Sequence, residues 1–256
     1  MLMLCTSLLF AQHEEQTNYP DPDLNIQKRI EEWQDLFNGT DLTGWDIKCH
    51  KTDKNKKFWN VNNSTIECNS IDRPDHDYIW LMYEEEFSDF ELHLKFQVFK
   101  SSKGNSGIQF RSRYDESETA RDGGWLNGPQ VDIHPPNPIR TGLIYDETDG
   151  INRWIHPSLP NWEIEKKDVP KGALQTELVY ADADPDAWNT MEIICEGLKI
   201  VTFVNDHRVT NFDASGILDD AIHKQHNVGI SGKIALQLHR ADELFIRYKD
   251  IRIKTL

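Results

Sequence analysis

Nine short segments of this chain alternate apolar and polar residues with a period of two, and clusters of turn-forming residues separate them: 58–61, 78–83, 90–99, 107–113, 130–134, 190–195, 199–204, 234–239 and 244–253. Successive side chains of a strand point to opposite faces, so this period predicts half-buried strands and argues against helices. Strands repeated in this way with no helical pattern between them predict an all-β sandwich or barrel. Glu196-Gly197 sits between two alternating segments and is expected to form a hairpin turn, with a further turn at 206–207 before Val209. The 256 residues carry no linker, internal repeat or low-complexity tract, so one large domain over 33–256 is the simplest organisation.

Only one stretch reads as a helix. Between Asp23 and Phe37, the apolar residues Ile26, Ile30, Trp33 and Phe37 recur at spacings of four, three and four, which puts them on one helical face. Pro22-Asp23 suits its start and Asn38-Gly39 its stop. Residues 12–32 are therefore expected to be an extension carrying a short N-terminal helix. Two stretches, 114–129 and 146–187, interrupt the strand rhythm with Gly, Pro, Asp and Trp. Long loops of this kind in a single domain are often functional.

With 28 Lys+Arg against 43 Asp+Glu, the formal charge is −15. Nucleic acid and anionic membranes are bound through clustered Lys and Arg, so both are excluded as partners. The apolar residues 1–11, MLMLCTSLLFA, are too few to span a bilayer and match the apolar part of a secretory signal, which predicts export with cleavage after Ala11. Cys49, Cys68 and Cys195 would then remain. An odd number without CxxC spacing is neither a disulfide framework nor a zinc site, and buried thiols or one optional bridge are expected.

Three of the strands divide their side chains unusually. In 107–113, Ile108 and Phe110 oppose Gln109, Arg111 and Arg113; in 130–134, Val131 and Ile133 oppose Gln130, Asp132 and His134. In 234–239, Ile234, Leu236 and Leu238 oppose Gln237 and His239. The polar face of an antiparallel sheet ordinarily meets water and carries Thr, Lys and Glu. Here it carries planar groups capable of directed hydrogen bonds, so adjacent strands would form a polar floor for a ligand. Arg111 or Arg113 can hold an anionic oxygen or a sugar hydroxyl, and either can equally form a surface ion pair. His134 and His239 can exchange protons near neutral pH. Asp132 can orient a His, act as a base or pair with an Arg. Gln109, Gln130 and Gln237 suit sugar hydroxyls, while Trp125 and Trp154 suit either stacking on a sugar ring or packing their own loop. No cofactor is required. A divalent metal at Asp132, His134 and His239 is the competing option, opposed by the neighbouring Arg.

The chain resembles the 3-keto-disaccharide hydrolase family. The resemblance is carried by Leu36-Phe37-Asn38-Gly39 with Gly44-Trp45, Phe90-Glu91-Leu92, Asn105-Ser106-Gly107-Ile108-Gln109-Phe110-Arg111 and Gly128-Pro129-Gln130-Val131-Asp132-Ile133. It continues through Thr141-Gly142-Leu143-Ile144-Tyr145, Trp188-Asn189, Val204-Asn205-Asp206, Leu236-Gln237-Leu238-His239 and Ile251-Arg252-Ile253-Lys254. The chain departs from the family at Gln130 and Asp132, where many relatives carry Glu, at Arg240, where Gly is common, and at His134-Pro135-Pro136-Asn137-Pro138.

The resemblance implies a concanavalin A-like jelly-roll β-sandwich, export to the bacterial periplasm or cell envelope, and cleavage of glycosidic bonds in sugars already oxidised at C3. A C3 ketone acidifies the C2 proton; its removal gives an enolate, the group at C1 leaves, and water adds back. The implied catalytic residues are His239 or Asp132 as base and Arg111 with Arg113 at the enolate oxygen; Gln130, Gln237 and Tyr145 position the ring. Two alternatives stand beside this. A conventional glycosidase needs two carboxylates, with Asp132 joined by a loop acid such as Asp115, Asp146 or Glu147. A carbohydrate-binding module or lectin would use the same floor without catalysis. A purely structural envelope protein would leave the floor unexplained.

Overall fold

In a computed structural model of the chain, which describes residues 33–117 and 119–256, the alternating segments form strands of two eight-stranded sheets. The strands are β1 (Trp33–Asp35), β2 (Trp45–Cys49), β3 (Trp59–Asn62), β4 (Thr65–Asn69), β5 (Ile79–Phe87), β6 (Phe90–Val98), β7 (Ser106–Asp115) and β8 (Trp125–Asn127). They continue as β9 (Pro129–Ile133), β10 (Ile144–Asp146), β11 (Arg153–His156), β12 (Asn189–Glu196), β13 (Lys199–Val204), β14 (His207–Asp213), β15 (Gly232–Leu238) and β16 (Phe245–Thr255). The first sheet has the order β14-β13-β12-β6-β16-β4-β3, with β1 on β16; the second has β11-β10-β9-β7-β15-β5-β2, with β8 on β7. Two short helices, α1 (Lys171–Leu174) and α2 (Ala221–His226), lie in the connections. The predicted β-sandwich is the architecture observed.

Alternation sorts the side chains as expected. Leu92, Leu94 and Phe96 of the first sheet join Ile79, Leu81, Ile108, Phe110, Val131 and Leu236 of the second in one buried apolar core. The residues between them on the second sheet point to its other face, where Trp80, Met82 and Ala235 join Trp125 and Leu126 in a smaller cluster. The strands that sequence periodicity missed carry little of it. β4 is buried at each of Thr65, Ile66, Glu67 and Cys68, and β8, β10 and β11 have three or four residues each. The turn expected at 206–207 falls at Asn205 and Asp206, both with positive φ (48° and 65°), as a two-residue hairpin loop requires. The turn at Gly197 (φ 55°) falls where expected. Cys49, Cys68 and Cys195 are free thiols.

The export segment read at 1–11 and the helix over residues 23–32 lie outside the described residues. Where the helix was expected to continue, the chain is extended instead. Trp33, Gln34 and Asp35 pair with Lys254, Ile253 and Arg252 of β16, and Leu36 N donates to Ile251 O at 2.8 Å. The ladder that β16 offers outweighs the helical spacing of Trp33 and Phe37. No helix among the described residues is long and apolar enough to cross a membrane.

A bulge in β7 changes the direction of Arg111. Ala235 pairs with Gln109 but Lys233 pairs with Ser112, so β7 carries one extra residue at this point. Arg111 absorbs it with φ 49°, and Gly232 makes room: a Cβ there would stand 2.6 Å from the Arg111 carbonyl carbon. The Arg111 side chain is fully buried. Its guanidinium donates to Ser88 O (2.7 Å), Gly197 O (2.6 Å) and Gly229 O (3.3 Å), and pairs with Asp89 Oδ1 at 3.0 Å. It thus ties turns from both sheets together. Arg113 pairs with Glu86 and donates to Asn227 O.

A second buried charge fixes the end of β10. His223 on α2 is enclosed, with Nε2 3.1 Å from Asp146 Oδ2 and Nδ1 2.9 Å from Asp220 Oδ1. Burial alone would disfavour its cation, but the hydrogen bonds and charges of Asp146 and Asp220 outweigh it and raise the pKa above the usual 6.5.

Both anchors are open to measurement. Arg111→Ala leaves three carbonyls and Asp89 without their donor and should lower stability by about 3 kcal/mol in urea unfolding; a wild-type midpoint would show that the guanidinium is not an anchor. A raised His pKa stabilises most below the unfolded value and loses that contribution as pH rises through the folded value. The melting-temperature advantage of wild type over His223→Gln should therefore shrink between pH 6 and 9, and an advantage independent of pH would refute the buried cation.

Candidate functional site

The register of the second sheet brings the predicted floor together. Gln109 of β7 lies opposite Gln130 of β9 and Ala235 of β15, Gly107 lies opposite Asp132, and Gln237 lies opposite Trp80 of β5. Gln109, Gln130, Asp132 and Gln237 therefore share the outer face with Trp80, as period two requires. Gly107 is needed here because a Cβ at that position would lie 2.3 Å from Gln130 Cδ. β10 extends the face, since Tyr145 pairs with Gln130 and Glu147 follows two residues later. Glu147 is pinned through its backbone: its N donates to Gly128 O at 3.0 Å and its O accepts from Trp125 Nε1 at 2.6 Å.

Above this face lies a cavity of about 490 Å³, lined by Tyr78, Lys103, Asn105, Arg121, Gln130, Asp132, His134, Arg140, Tyr145, Glu147, Asn152, Trp162, His239 and Asp242. That volume is within the usual range of small-ligand sites, ~300–1,000 Å³. Four amide oxygens on or below its floor, Asn105 Oδ1, Gln109 Oε1, Gln130 Oε1 and Gln237 Oε1, are buried without a hydrogen-bond partner. An unpaired buried acceptor costs about 1–3 kcal/mol, and the two whose residues line the cavity, Asn105 and Gln130, suit a ligand rich in hydroxyl donors.

The charged groups fall into three sets. Asp132, 1% exposed, accepts from Arg140 Nε at 3.1 Å. The Pro-rich turn after β9 makes this contact, because Asp132 N and O bond Leu143 O and Gly142 N and so return Arg140 over the strand. His239 Nε2 lies 3.0 Å from Tyr78 Oη, and its Nδ1 lies 3.3 Å from Asp242 Oδ2 and 3.2 Å from Arg240 O. Burial opposes the His239 cation, yet the Asp242 hydrogen bond and the Asp242, Glu147 and Asp132 carboxylates outweigh it and raise the pKa above 6.5. The third set is Glu147 alone. It accepts from Gln237 Nε2 at 3.4 Å and, among the described residues, forms no ion pair. Burial raises its carboxyl above the usual 4.5 against the opposing pull of His239, Gln237 and Arg121.

Aromatic rings brace one wall. Tyr78 stacks on Trp80 at 5.7 Å and meets Trp125 edge-on at 4.9 Å. Burial raises the Tyr78 and Tyr145 hydroxyls well above their ordinary range, so both stay protonated.

Of the sequence-predicted site residues, Gln130, Asp132, His134, Tyr145 and His239 line the cavity. Gln109 and Gln237 are on the floor but covered; Gln109 Nε2 donates to Leu126 O at 3.0 Å. Trp125 does not reach the cavity, because its indole is 1% exposed and Arg121 sits 3.7 Å from its ring centroid. Trp154 is likewise buried. Arg111 and Arg113 are corrected: the bulge in β7 breaks the period-two projection, and both guanidinium groups bind elsewhere. Burial lowers the His134 pKa, and its Nδ1 lies 3.1 Å from Asn137 N. Asp132, His134 and His239 all face the cavity as the metal alternative requires, but Arg140 occupies Asp132, and no metal-ligating cluster is found among the described residues. Of the loop acids, Glu147 reaches the cavity, whereas Asp146 faces His223 and Asp115 lines a different hollow.

Sequence reasoning missed Tyr78, Arg140, Trp162 and Asp242, and it named Glu147 only among several loop acids. Tyr78 could have been found, since it immediately precedes β5 and alternates with Ile79 and Leu81 in phase with Trp80. The others lie on loops, where no period announces a direction.

Solved structures share this fold. A candidate glycosyl hydrolase from Parabacteroides distasonis ATCC 8503 is 16% identical with TM-score 0.53, covering 90% of this chain and 96% of that one. A chain described under endo-acting O-glycanases, expressed by human gut microbiota to initiate mucin breakdown, is 12% identical with TM-score 0.52, covering 88% and 98%. Such identities establish likeness of fold alone. No curated protein matches the sequence. Residues 32–254 match the family described as the 3-keto-alpha-glucoside-1,2-lyase-like domain, and the chain belongs to that family.

Proposed function

We propose that the protein cleaves the glycosidic bond of 3-keto-glucosides by removing the C2 proton, eliminating the C1 substituent and hydrating the product. The observation that carries this reading is the presence in one cavity of an unpaired carboxylate, an anchored guanidinium and a protonated His–Tyr pair. Glu147 is the base. Its buried carboxyl, with a raised pKa, suits it to accept a proton, whereas the Asp132 carboxylate is already engaged by Arg140. Arg140, oriented by Asp132, binds the C3 oxygen and stabilises the enolate that forms as C2 loses its proton. As the C1–O bond breaks, the leaving oxygen takes the Tyr78 proton, which His239 Nε2 replaces. Asp242 holds the imidazole for that transfer. The unpaired amide oxygens of Gln130 and Asn105 accept the sugar hydroxyls. Water then adds across the C1–C2 double bond, and the net change is hydrolysis.

A second reading rests on Asp132 and Glu147 both lining the cavity: two carboxylates are what a conventional glycosidase uses. The ion pair of Asp132 with Arg140 disfavours it, because a carboxylate oxygen that would have to attack or donate is already engaged by the guanidinium.

Incubation of the purified protein with a 3-keto-glucoside and with its unoxidised counterpart, followed by NMR, separates the readings. Consumption of the keto form alone supports the elimination. Consumption of the unoxidised sugar supports the conventional glycosidase, and binding without consumption of either identifies a carbohydrate-binding protein. Glu147→Gln should lower kcat by about a hundred- to ten-thousandfold, and Arg140→Ala by about a hundred- to a thousandfold.

The reaction needs Glu147 ionised and His239 protonated. Its rate should therefore rise as pH passes through the Glu147 value, above 4.5, and fall as pH passes through the His239 value, above 6.5. His239→Gln should remove the alkaline fall, and a retained fall would take His239 out of the proton path.

A further inference from the structure

We infer that Trp162 is the residue that holds the second pyranose ring of a disaccharide substrate, forming a stacking platform for it at the mouth of the cavity. The inference rests on the proposed cleavage for what becomes of that second ring, but not for its binding.

Trp162 is 67% exposed, more than any other large apolar side chain among the described residues, and it lines the cavity. Its exposure does not reflect a loose segment. Trp162 O accepts from Trp154 Nε1 at 2.8 Å, Asn161 O accepts from Trp154 N at 3.3 Å, and Glu163 N donates to Asn161 Oδ1 at 2.9 Å. The backbone of this loop is thus fastened to β11, whose Trp154 is completely buried, while the indole of Trp162 is presented to solvent. The other exposed apolar side chains, such as Val179 and Leu256, do not line this cavity.

The surroundings of Trp162 select a sugar over a purely apolar group. Asn152 and Lys103 share the mouth, and Asn152 Oδ1 accepts from Arg121 Nη1 at 2.7 Å. A pyranose presents an apolar C–H face, which a broad indole can cover, and a rim of hydroxyls, which amide and cationic groups can bind. The floor differs in kind, since its orphaned carbonyl oxygens can accept hydrogen bonds and its rings, those of Tyr78 and Tyr145, are half-buried where Trp162 is open to solvent. Floor and mouth therefore suit different parts of a substrate: the oxidised ring below, and a second ring leaning on Trp162 above.

The test compares wild type with Trp162→Ala and Trp162→Phe on a 3-keto-glucoside bearing glucose at C1 and on the methyl 3-keto-glucoside. The wild-type preference in kcat/KM for the disaccharide over the methyl glycoside should fall about tenfold in Trp162→Ala and be largely kept in Trp162→Phe. If both substrates turn over and the preference is unchanged in Trp162→Ala, the platform is refuted while the proposed reaction stands. A second arm does not depend on turnover: isothermal titration of each protein with the unoxidised disaccharide and with methyl glucoside. Weaker binding of the disaccharide alone in Trp162→Ala supports the platform even where neither keto-glycoside reacts. Equal weakening of both ligands, or no preference for the disaccharide in wild type, overturns it.

Discussion

The hydrogen-bond register of β9, β7, β15 and β5 is the constraint on which the rest of this molecule depends. It places Gln130, Gln109, Gln237 and Trp80 on one face and leaves Val131, Ile108, Leu236 and Leu81 for the core. A slip of one residue in any of these strands would exchange the two sets, burying amides in the core and exposing aliphatic side chains. The apolar core therefore holds the polar floor in place. Arg111 secures the far end of the same sheet by binding turn carbonyls from both layers, at the one point in β7 where the ladder gains a residue.

The floor itself is poorly satisfied. Among the described residues, four buried amide oxygens and the Trp80 indole N–H on the same face have no partner, whereas Asp132 is matched by Arg140 and His223 by its two aspartates. Stability given up in a confined place is what a binding site looks like in energetic terms. The electrostatics are similarly divided. Asp132 and His239 each pair with an opposite charge at contact distance, whereas Glu147 is buried with no ion pair among the described residues. Three carboxylates around one cavity, Asp132, Glu147 and Asp242, thus have different partners: a guanidinium, an amide and an imidazole.

Several of these features are legible in the amino-acid sequence. Strand parity alone places Gln130, Asp132 and His239 on the floor, because in an uninterrupted strand the direction of every side chain follows from one of them. The same rule misplaces Arg111 and Arg113. Parity holds only while the ladder is regular, and the bulge after Gln109 has no sequence mark in β7; its enabling residue, Gly232, lies on the neighbouring strand more than a hundred positions away. Helical spacing at Trp33 and Phe37 misleads for a related reason. A local pattern in Trp33 and Phe37 cannot register that β16, at the opposite end of the chain, offers the segment a ladder.

The sequence by itself determined the all-β class, most of the strands, the face on which the amides stand and the family. Each of these follows from local periodicity or from motifs read in order. Only the tertiary structure decided which charged groups share the cavity. Arg140, Glu147, Trp162 and Asp242 reach it from connections between strands, and Tyr78 reaches it from just before β5, distant in sequence from β9 and β10. Loop side chains have no periodicity to reveal their direction, and pairing between distant segments is set by packing of the whole sandwich. The chemistry of the site therefore resides in contacts that no local stretch of the chain encodes.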